Sequence, residues 1–597
     1  MTETTLIARG HHLDGPPPAP WVAVAALVTR QAALTPEATA VVDGGRELTY
    51  RDLDARANQL AHYLRSRGVG RESLVGVCLY RGFDLAVALL AVWRAGGAYV
   101  PLTPDLPARR VAKLLDGTGV QLVLTETESA GMVKAAGADP VILDAIAADL
   151  AALPATSPAP GAGPDNAACV IHTSGSTGEP KAVVLTHHGL ANRIDWSARA
   201  WKLSARDRVL HKTPVSFDAH IWEVFAPLTC GAALVMATPW LEADPEALVD
   251  ELAAQRATVL QVVPSLLRRL VEAPDWDACT DLRLLVSAGE PLHYELAQRV
   301  FALADIELWN TYGPTECSID VTAHRVDRGP RTGPVPIGRP LQGTRLLIVG
   351  PDGRPVPDGE AGELLAGGVA VGRGYHRSPL LTAERFILDP WQQDGERLYR
   401  TGDLVRRRPD GELEFLDRLD AQIKVDGVRI EPGEIETALR GHPAVQDALV
   451  AAFKEPDGTR RLAAYVISRD GTHPAQLRPY LARLLPASHI PTAFIEVEQL
   501  PVETGGVRAV HKCPLRERRV PVSPDERLVA EAWQEVLGGG EPGLDDDFFH
   551  REGTSLQLTL LAARLRESCG VDFEPGLLFQ ATTVRAQAEL LAALRAE

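Results

Sequence analysis

Ile171-His172-Thr173-Ser174-Gly175-Ser176-Thr177-Gly178-Glu179-Pro180-Lys181 follows an apolar stretch and is the most informative segment of the chain. Its glycines let the backbone come close to an anion. Backbone N–H groups and hydroxyls then donate to phosphate oxygens, and the lysine adds positive charge. No Gly-Lys-Ser/Thr closes the run, so it is not the Walker loop. A Gly/Ser/Thr run by composition alone is more often a flexible linker. Two hydroxyl pairs separated by glycine, closed by Pro-Lys, argue instead for a loop that cradles phosphate.

Outward from this loop, apolar runs alternate with helical stretches from about Trp21 to Leu416. Leu143 to Ala152 and Pro245 to Gln255 have helical spacing, whereas Leu122-Val123-Leu124, Val259 to Val263 and Leu284-Leu285-Val286 read as short buried strands. Such alternation predicts layered α/β architecture with partly parallel sheets. Pro154 to Pro164 reads as a surface loop. Near Asp420 the pattern changes to a compact, charged α+β stretch that reaches about Leu515. Arg516 to Pro524 is basic and proline-containing, as linkers are. Glu526 to Val536 and Ser555 to Glu567 carry apolar residues at helical spacing, with Gly538-Gly539-Gly540 and Asp545-Asp546-Asp547 between them. The expected divisions are a flexible leader over residues 1–20, a large α/β domain over 21–418, a small α+β domain over 419–515, a linker over 516–524 and a helical domain over 525–597.

The composition excludes several classes. The 597 residues carry 61 basic and 78 acidic side chains, a net charge of −17, which argues against a nucleic-acid partner. The seven cysteines show no Cys-x-x-Cys pair and suggest neither a disulfide framework nor a zinc site. No signal sequence and no run of eighteen apolar residues is seen, so a cytoplasmic protein without a membrane span is expected. His11-His12-Leu13-Asp14-Gly15 is two residues short of the condensation-domain histidine motif and reads as chance.

Thr-Ser-Gly-Ser-Thr-Gly-x-Pro-Lys resembles the signature of the adenylate-forming superfamily, which holds acyl-CoA synthetases, luciferases and peptide-synthetase adenylation domains. Further matches follow in order: Leu48-Thr49-Tyr50, Arg94 to Leu102, Phe217-Asp218-Ala219-His220-Ile221-Trp222-Glu223, Asn310 to Glu316, Tyr399 to Leu404, Asp420 to Lys424 and Arg429 to Glu436. Together they span roughly Trp21 to Leu515 and fit best the nonribosomal peptide synthetase adenylation domains. Asp546-Asp547-Phe548-Phe549 and Gly553-Thr554-Ser555-Leu556 resemble a peptidyl carrier (thiolation) domain, a four-helix bundle. Glu552 replaces the first glycine of its usual core.

The resemblance implies an ATP-dependent ligase that joins an amino-acid carboxylate to the α-phosphate of ATP, with Mg²⁺, and then loads the amino acid on a phosphopantetheine thiol attached to Ser555. It implies that Thr173, Ser174, Gly175, Ser176, Thr177, Gly178 and Lys181 embrace phosphate, with Asn310 and Thr315 close to the nucleotide. Tyr312 would stack on adenine, Asp403 would accept from the ribose hydroxyls, and Arg418 would lie near ribose or phosphate. Glu316 would hold Mg²⁺. Glu316, Lys424 and Asp420 are the candidate catalytic residues, Asp420 as hinge of the small domain. Asp218 would pair with the substrate ammonium and so separate an amino-acid activator from an acyl-CoA ligase, the alternative enzymatic reading.

The family's pocket positions fall on Asp218, Ala219, Trp222, Gln261, Val286, Ala288, Thr311, Ile319 and Asp320. An unpaired carboxylate there would be costly. Either the substrate side chain brings hydrogen-bond donors, as an amide or a cation, or Asp320 pairs with a cation of the protein or with water. The family's late lysine is absent: Val507 stands there without a gap and Ala509 with a two-residue insertion. A catalytically impaired adenylation-carrier scaffold is therefore a further reading. Implied partners are a phosphopantetheinyl transferase, a downstream synthetase or tailoring enzyme and an MbtH-like helper.

Overall fold

A computed structural model of the chain describes residues 12–175, 178–239, 241, 244–391, 395–420, 422–454, 460–469, 477–500, 503–504, 507–508, 521–537, 542–544, 546, 548, 555–571, 573, 577–578 and 581–596. They form two compact units. One comprises Met1–Gly175 with Glu179–Ile430, the other Ser176–Gly178 with Glu431–Glu597.

The first unit is built on three sheets. In the nine-stranded sheet, strands Arg208–His211, Val259–Val262, Leu284–Ser287 and Glu307–Tyr312 run parallel side by side. They are short, apolar and covered on both faces, which is why they read as continuous runs rather than alternating ones. The register sets Gln261 opposite Val286 and Ser287 opposite Asn310. The seven-stranded sheet contains Ala167–Thr173 and Lys181–Thr186, an antiparallel pair with Thr173 opposite Lys181. The glycine-rich run is the connection of this pair. The six-stranded sheet carries Thr344–Val349, Ala361–Gly368, Arg397–Arg407 and Leu413–Arg418.

In the second unit, strands Val445–Lys454, Arg460–Ser468 and Ala493–Glu496 form one sheet, and helix Pro432–Arg440 packs on the first of them. Helices Pro524–Leu537, Ser555–Cys569 and Val584–Ala596 enclose an apolar core that includes Val529, Trp533, Phe548, Leu561 and Leu591. The Trp533 indole donates to Gln587 Oε1 at 2.8 Å, giving its buried N–H a partner. Three α-helices of this bundle fall among the described residues, against an expected four.

Several expectations need correction. The expected flexible leader is structured where it is described: Leu13–Asp14 pairs with Arg345 and Leu346, and Gly15 N–H donates to the Thr344 carbonyl at 2.9 Å. Backbone pairing overrides the proline-rich composition. The first unit runs to Ile430, not 418, because the 423–430 hairpin packs within it. Pro524 opens a helix rather than closing a linker, as proline at a first helical position can. Leu143 to Ala152 contains only a short helix, Ala147–Ala151.

The Pro154–Pro164 segment is a loop, but a fastened one. Asn58 Nδ2 donates to the Ala155 carbonyl at 2.7 Å, the Arg65 and Arg71 guanidinium groups donate to the carbonyls of Ala159 and Gly161, and just ahead of the segment Gln59 Nε2 donates to the Leu153 carbonyl at 3.3 Å. Among the described residues no cysteine forms a disulfide and no helix is long and apolar enough to cross a membrane.

Candidate active site

The carboxyl ends of parallel strands are where open α/β sheets hold ligands, and the candidate residues gather there. Gln261 lies near the end of Val259–Val262, Val286 near that of Leu284–Ser287 with Ala288 one residue beyond it, and Thr311 and Tyr312 close Glu307–Tyr312. Asp218 and Ala219 precede helix His220–Cys230, whose first turn carries Trp222. The Trp222 indole donates to Gln261 Oε1. The Oγ1 of Thr311 and the Oγ of Ser287 are shielded from water and have no hydrogen-bond partner. Ser318 and Ile319 have positive φ, 55° and 83°. For a β-branched residue such as Ile319 that is rare and strained, as site backbones often are. Gly313 admits this turn, since a Cβ there would lie 2.4 Å from Asp320 Cα.

Asp218 Oδ2 is shielded and unpartnered. Burial pushes the carboxyl up to about 7, opposed by the Thr315 hydroxyl and reinforced by the Asp320 and Glu316 carboxylates. A carboxylate left this way has room in its energetics for a cation. Asp320 is different. Arg193, on helix His187–Ala200, donates to Asp320 Oδ2 from Nε at 3.1 Å and Nη2 at 2.6 Å, and both side chains are buried. Of the partners expected for Asp320, a cation of the protein itself is the one present.

A second cluster joins Tyr312, Asp403, Arg418 and Asp420. The Tyr312 hydroxyl donates to Asp403 Oδ2. Arg418 Nη1 donates to Asp403 Oδ1 at 2.7 Å, and its Nε and Nη2 grip Asp420 at 2.8 and 2.6 Å. The Lys424 ammonium lies 6.0 Å from the Tyr312 ring centroid, and burial lowers its pKa. Thr173 Oγ1 is shielded and unpartnered, while Ser174 Oγ donates to the Arg429 carbonyl at 2.8 Å. Asn310 Nδ2 donates to the Pro336 carbonyl at 2.8 Å. Ser176 and Thr177 lie outside the described residues.

Glu316, the expected metal ligand, is fully buried with both oxygens engaged. Tyr375 OH donates to Oε1 at 2.8 Å and Arg429 Nη1 to Oε2 at 2.7 Å. Burial alone would raise this carboxyl, but the Arg429 charge and the Tyr375 hydroxyl outweigh it and hold the pKa at about 2. In this arrangement a guanidinium stands where a dication would, so Glu316 does not fit Mg²⁺ until Arg429 moves.

Residues 28–376 match the AMP-binding enzyme family, residues 434–506 its C-terminal domain, and residues 527–591 the phosphopantetheine attachment site. The chain belongs to the AMP-binding enzyme family. Among curated relatives it is 38% identical over 577 residues to tyrocidine synthase 3 of Brevibacillus parabrevis, covering 95% of this chain and 9% of that one. It is 41% identical over 576 residues to phosphinothricin tripeptide synthetase PhsB of Streptomyces viridochromogenes, covering 94% of this chain and 48% of the relative. The chain thus spans less than half the length of either. Holo-PA1221, an adenylation and carrier protein solved with a vinylsulfonamide inhibitor, superposes with TM-score 0.75 at 28% identity over 97% of both chains. The artificially fused adenylation-carrier protein NpsA-ThdA from Klebsiella oxytoca gives TM-score 0.72 at 28% identity, over 79% of this chain and 93% of that one.

Within the AMP-binding enzyme fold, some motif residues hold structure rather than ligand. Tyr50 OH donates to the Ala232 carbonyl at 2.8 Å, and Arg94 Nη1 donates to Asn58 Oδ1 at 2.8 Å. Sequence reasoning missed Arg193, Tyr375 and the contact of Arg429. Arg193 left a signal: it shares the buried face of its helix with Leu190, Ile194 and Ser197. A lone arginine on such a face needs a buried anion. Ser555 is the first residue of helix Ser555–Cys569, and residues 549–554 before it lie outside the described residues.

Proposed function

We propose that this chain activates an amino acid by joining its carboxylate to the α-phosphate of ATP, with release of pyrophosphate, and then loads it on a phosphopantetheine thiol carried by Ser555. The observation that carries the reading is Asp218, a shielded carboxylate with an unpartnered oxygen at the carboxyl end of a parallel sheet. It supports an ammonium-bearing substrate over a fatty or aryl acid.

The chain's own part is positioning and charge stabilisation, which dominate such reactions. Asp218 orients the amino acid through its ammonium. Trp222 and Val286 wall the side chain. The loop over Thr173, Ser174, Gly175, Ser176, Thr177, Gly178 and Lys181 holds phosphates, with Asn310, Tyr312, Thr315, Asp403 and Arg418 around the nucleoside. Asp403 turns to the ribose hydroxyls only in exchange for its bonds to Tyr312 and Arg418. Lys424 supplies positive charge beside Tyr312 and Asp403, and Asp420 holds Arg418 there. The phosphopantetheine group supplies a nucleophilic thiol on a long tether when attached, and a serine at a helix start within the matched attachment region suits it. No step is routed through Mg²⁺, because Arg429 occupies Glu316 as arranged.

This reading makes a phosphopantetheinyl transferase, a downstream synthetase or tailoring enzyme, an MbtH-like helper and a cytoplasmic setting part of the proposal. The test is the intact mass of pantetheinylated protein after incubation with ATP, Mg²⁺ and an amino-acid pool. A mass gain equal to one aminoacyl group, lost in Ser555→Ala, is expected. No gain with any amino acid overturns the reading and favours the scaffold alternative, which the missing lysine at positions 507 and 509 supports.

A further inference from the structure

The carboxylates around the candidate pocket can be matched to cations one by one. Glu316 has Arg429, at 2.7 Å. Asp320 has Arg193, at 2.6 Å. Asp218 has an oxygen without a partner, and the proposed substrate brings one α-ammonium for it. A second cation, on the substrate side chain, would find no unmatched anion.

Arg193 is firmly held in this role. Its Nη1 donates to Ser197 Oγ. Its guanidinium carbon lies 4.9 Å from the Trp196 ring centroid and 5.1 Å from that of Trp201, the stacking that suits a planar delocalised cation. Trp201 in turn meets the pocket wall Trp222 edge-on, with centroids 4.7 Å apart. Both bonds to Asp320 converge on Oδ2.

The neutral groups define what remains. The indole N–H of Trp222 fixes the Gln261 oxygen as its acceptor, which leaves the amide NH₂ to donate to a ligand. Thr311 Oγ1, on the same sheet face as Gln261 and Val286, is shielded and without a partner, and a hydroxyl can both donate and accept. A side chain with one acceptor and one donor, a carboxamide or a hydroxyl, satisfies this set.

We propose that Arg193, which is none of the nine pocket positions, determines specificity by neutralising Asp320, so that the pocket takes a neutral hydrogen-bonding side chain and refuses a cationic one. This rests on the amino-acid activation proposed above. Arg193 is a positioning residue: it acts on the substrate through Asp320.

The test measures binding of three non-hydrolysable aminoacyl sulfamoyladenosines, carrying glutamine, lysine or glutamate, by calorimetry. A binding measurement involves no chemical step, so slow adenylation cannot mask the result. Native protein is expected to favour the glutamine probe over the lysine probe by on the order of 100-fold. Arg193→Leu should narrow or reverse that ratio at least about tenfold, and Arg193→Leu with Asp320→Asn should restore it. Asp320→Asn alone leaves Arg193 unmatched and should favour the glutamate probe. Should Arg193→Leu fail to fold, this last variant decides. Native preference for the lysine probe, or folded variants with unchanged ratios, overturns the assignment. Native protein that binds none of the three overturns the inference as drawn, whereas the activation reading stands or falls on the mass assay with the full amino-acid pool, so the two failures are told apart.

Discussion

Asp218 carries the clearest dependence on pH. Its carboxyl is raised from an ordinary 3.8 to about 7, chiefly by burial. The folded chain therefore keeps a proton that the unfolded chain releases between those values. The contribution of this group to stability is full below 3.8 and declines as pH rises to about 7. Asp218→Asn removes the decline, so its melting temperature relative to the native protein should climb across that window, which a calorimetric pH series checks. An α-ammonium needs the ionised form, so native affinity for the substrate should rise towards neutral pH, and Asp218→Asn should flatten that rise and weaken binding. Glu316 behaves oppositely: held at about 2, it stabilises above its ordinary range and ceases to do so as pH falls through 2. Asp218 was legible from the motif around it. Helical spacing flags Arg193 as buried, but not which anion meets it, because 127 residues separate that ion pair.

The 423–430 hairpin is the element on which the site's present arrangement depends. It brings Arg429 to Glu316, and its turn donates Gly427 N–H to Glu290 Oε1 at 2.7 Å. Gly427 has φ +75°, and a Cβ there would lie 2.4 Å from Val263 Cγ1. Gly427→Ala should thus unseat the hairpin at a cost of about 1–3 kcal/mol, read as faster limited proteolysis near residue 427 and a lower melting temperature. Cleavage at the native rate would refute the packing account. The motif told of the segment's existence, and short apolar runs told of the parallel strands. Neither told on which side of the boundary near Asp420 the hairpin packs, since that is settled by contacts distant in sequence. Leu13–Asp14 was misread for the same reason: prolines signal loops locally, whereas strand pairing is supplied by residues 345–346.

At the scale of the molecule, the AMP-binding enzyme match and a phosphopantetheine attachment region share one chain, yet on the resemblance the late lysine is replaced by Val507 or Ala509. Loss of one such donor slows chemistry by about 10² to 10³. Val507→Lys or Ala509→Lys should recover a comparable factor in pyrophosphate exchange, and no gain in either would show that the lysine's work is done by another group. The domain sequence was legible because each domain carries its own motif, while the relation between charges in the pocket emerged only from the fold. The fastened loop over residues 154–164 has a practical corollary. Its Pro/Gly/Ala composition invites a protein engineer to open the chain there for a fluorescent tag or a permuted terminus. Asn58 and Arg65 of helix Tyr50–Ser66, and Arg71 beyond its end, all reach to carbonyls of that stretch. A graft at this point would strip three anchored donors of their acceptors at once, making an inviting splice point an unforgiving one.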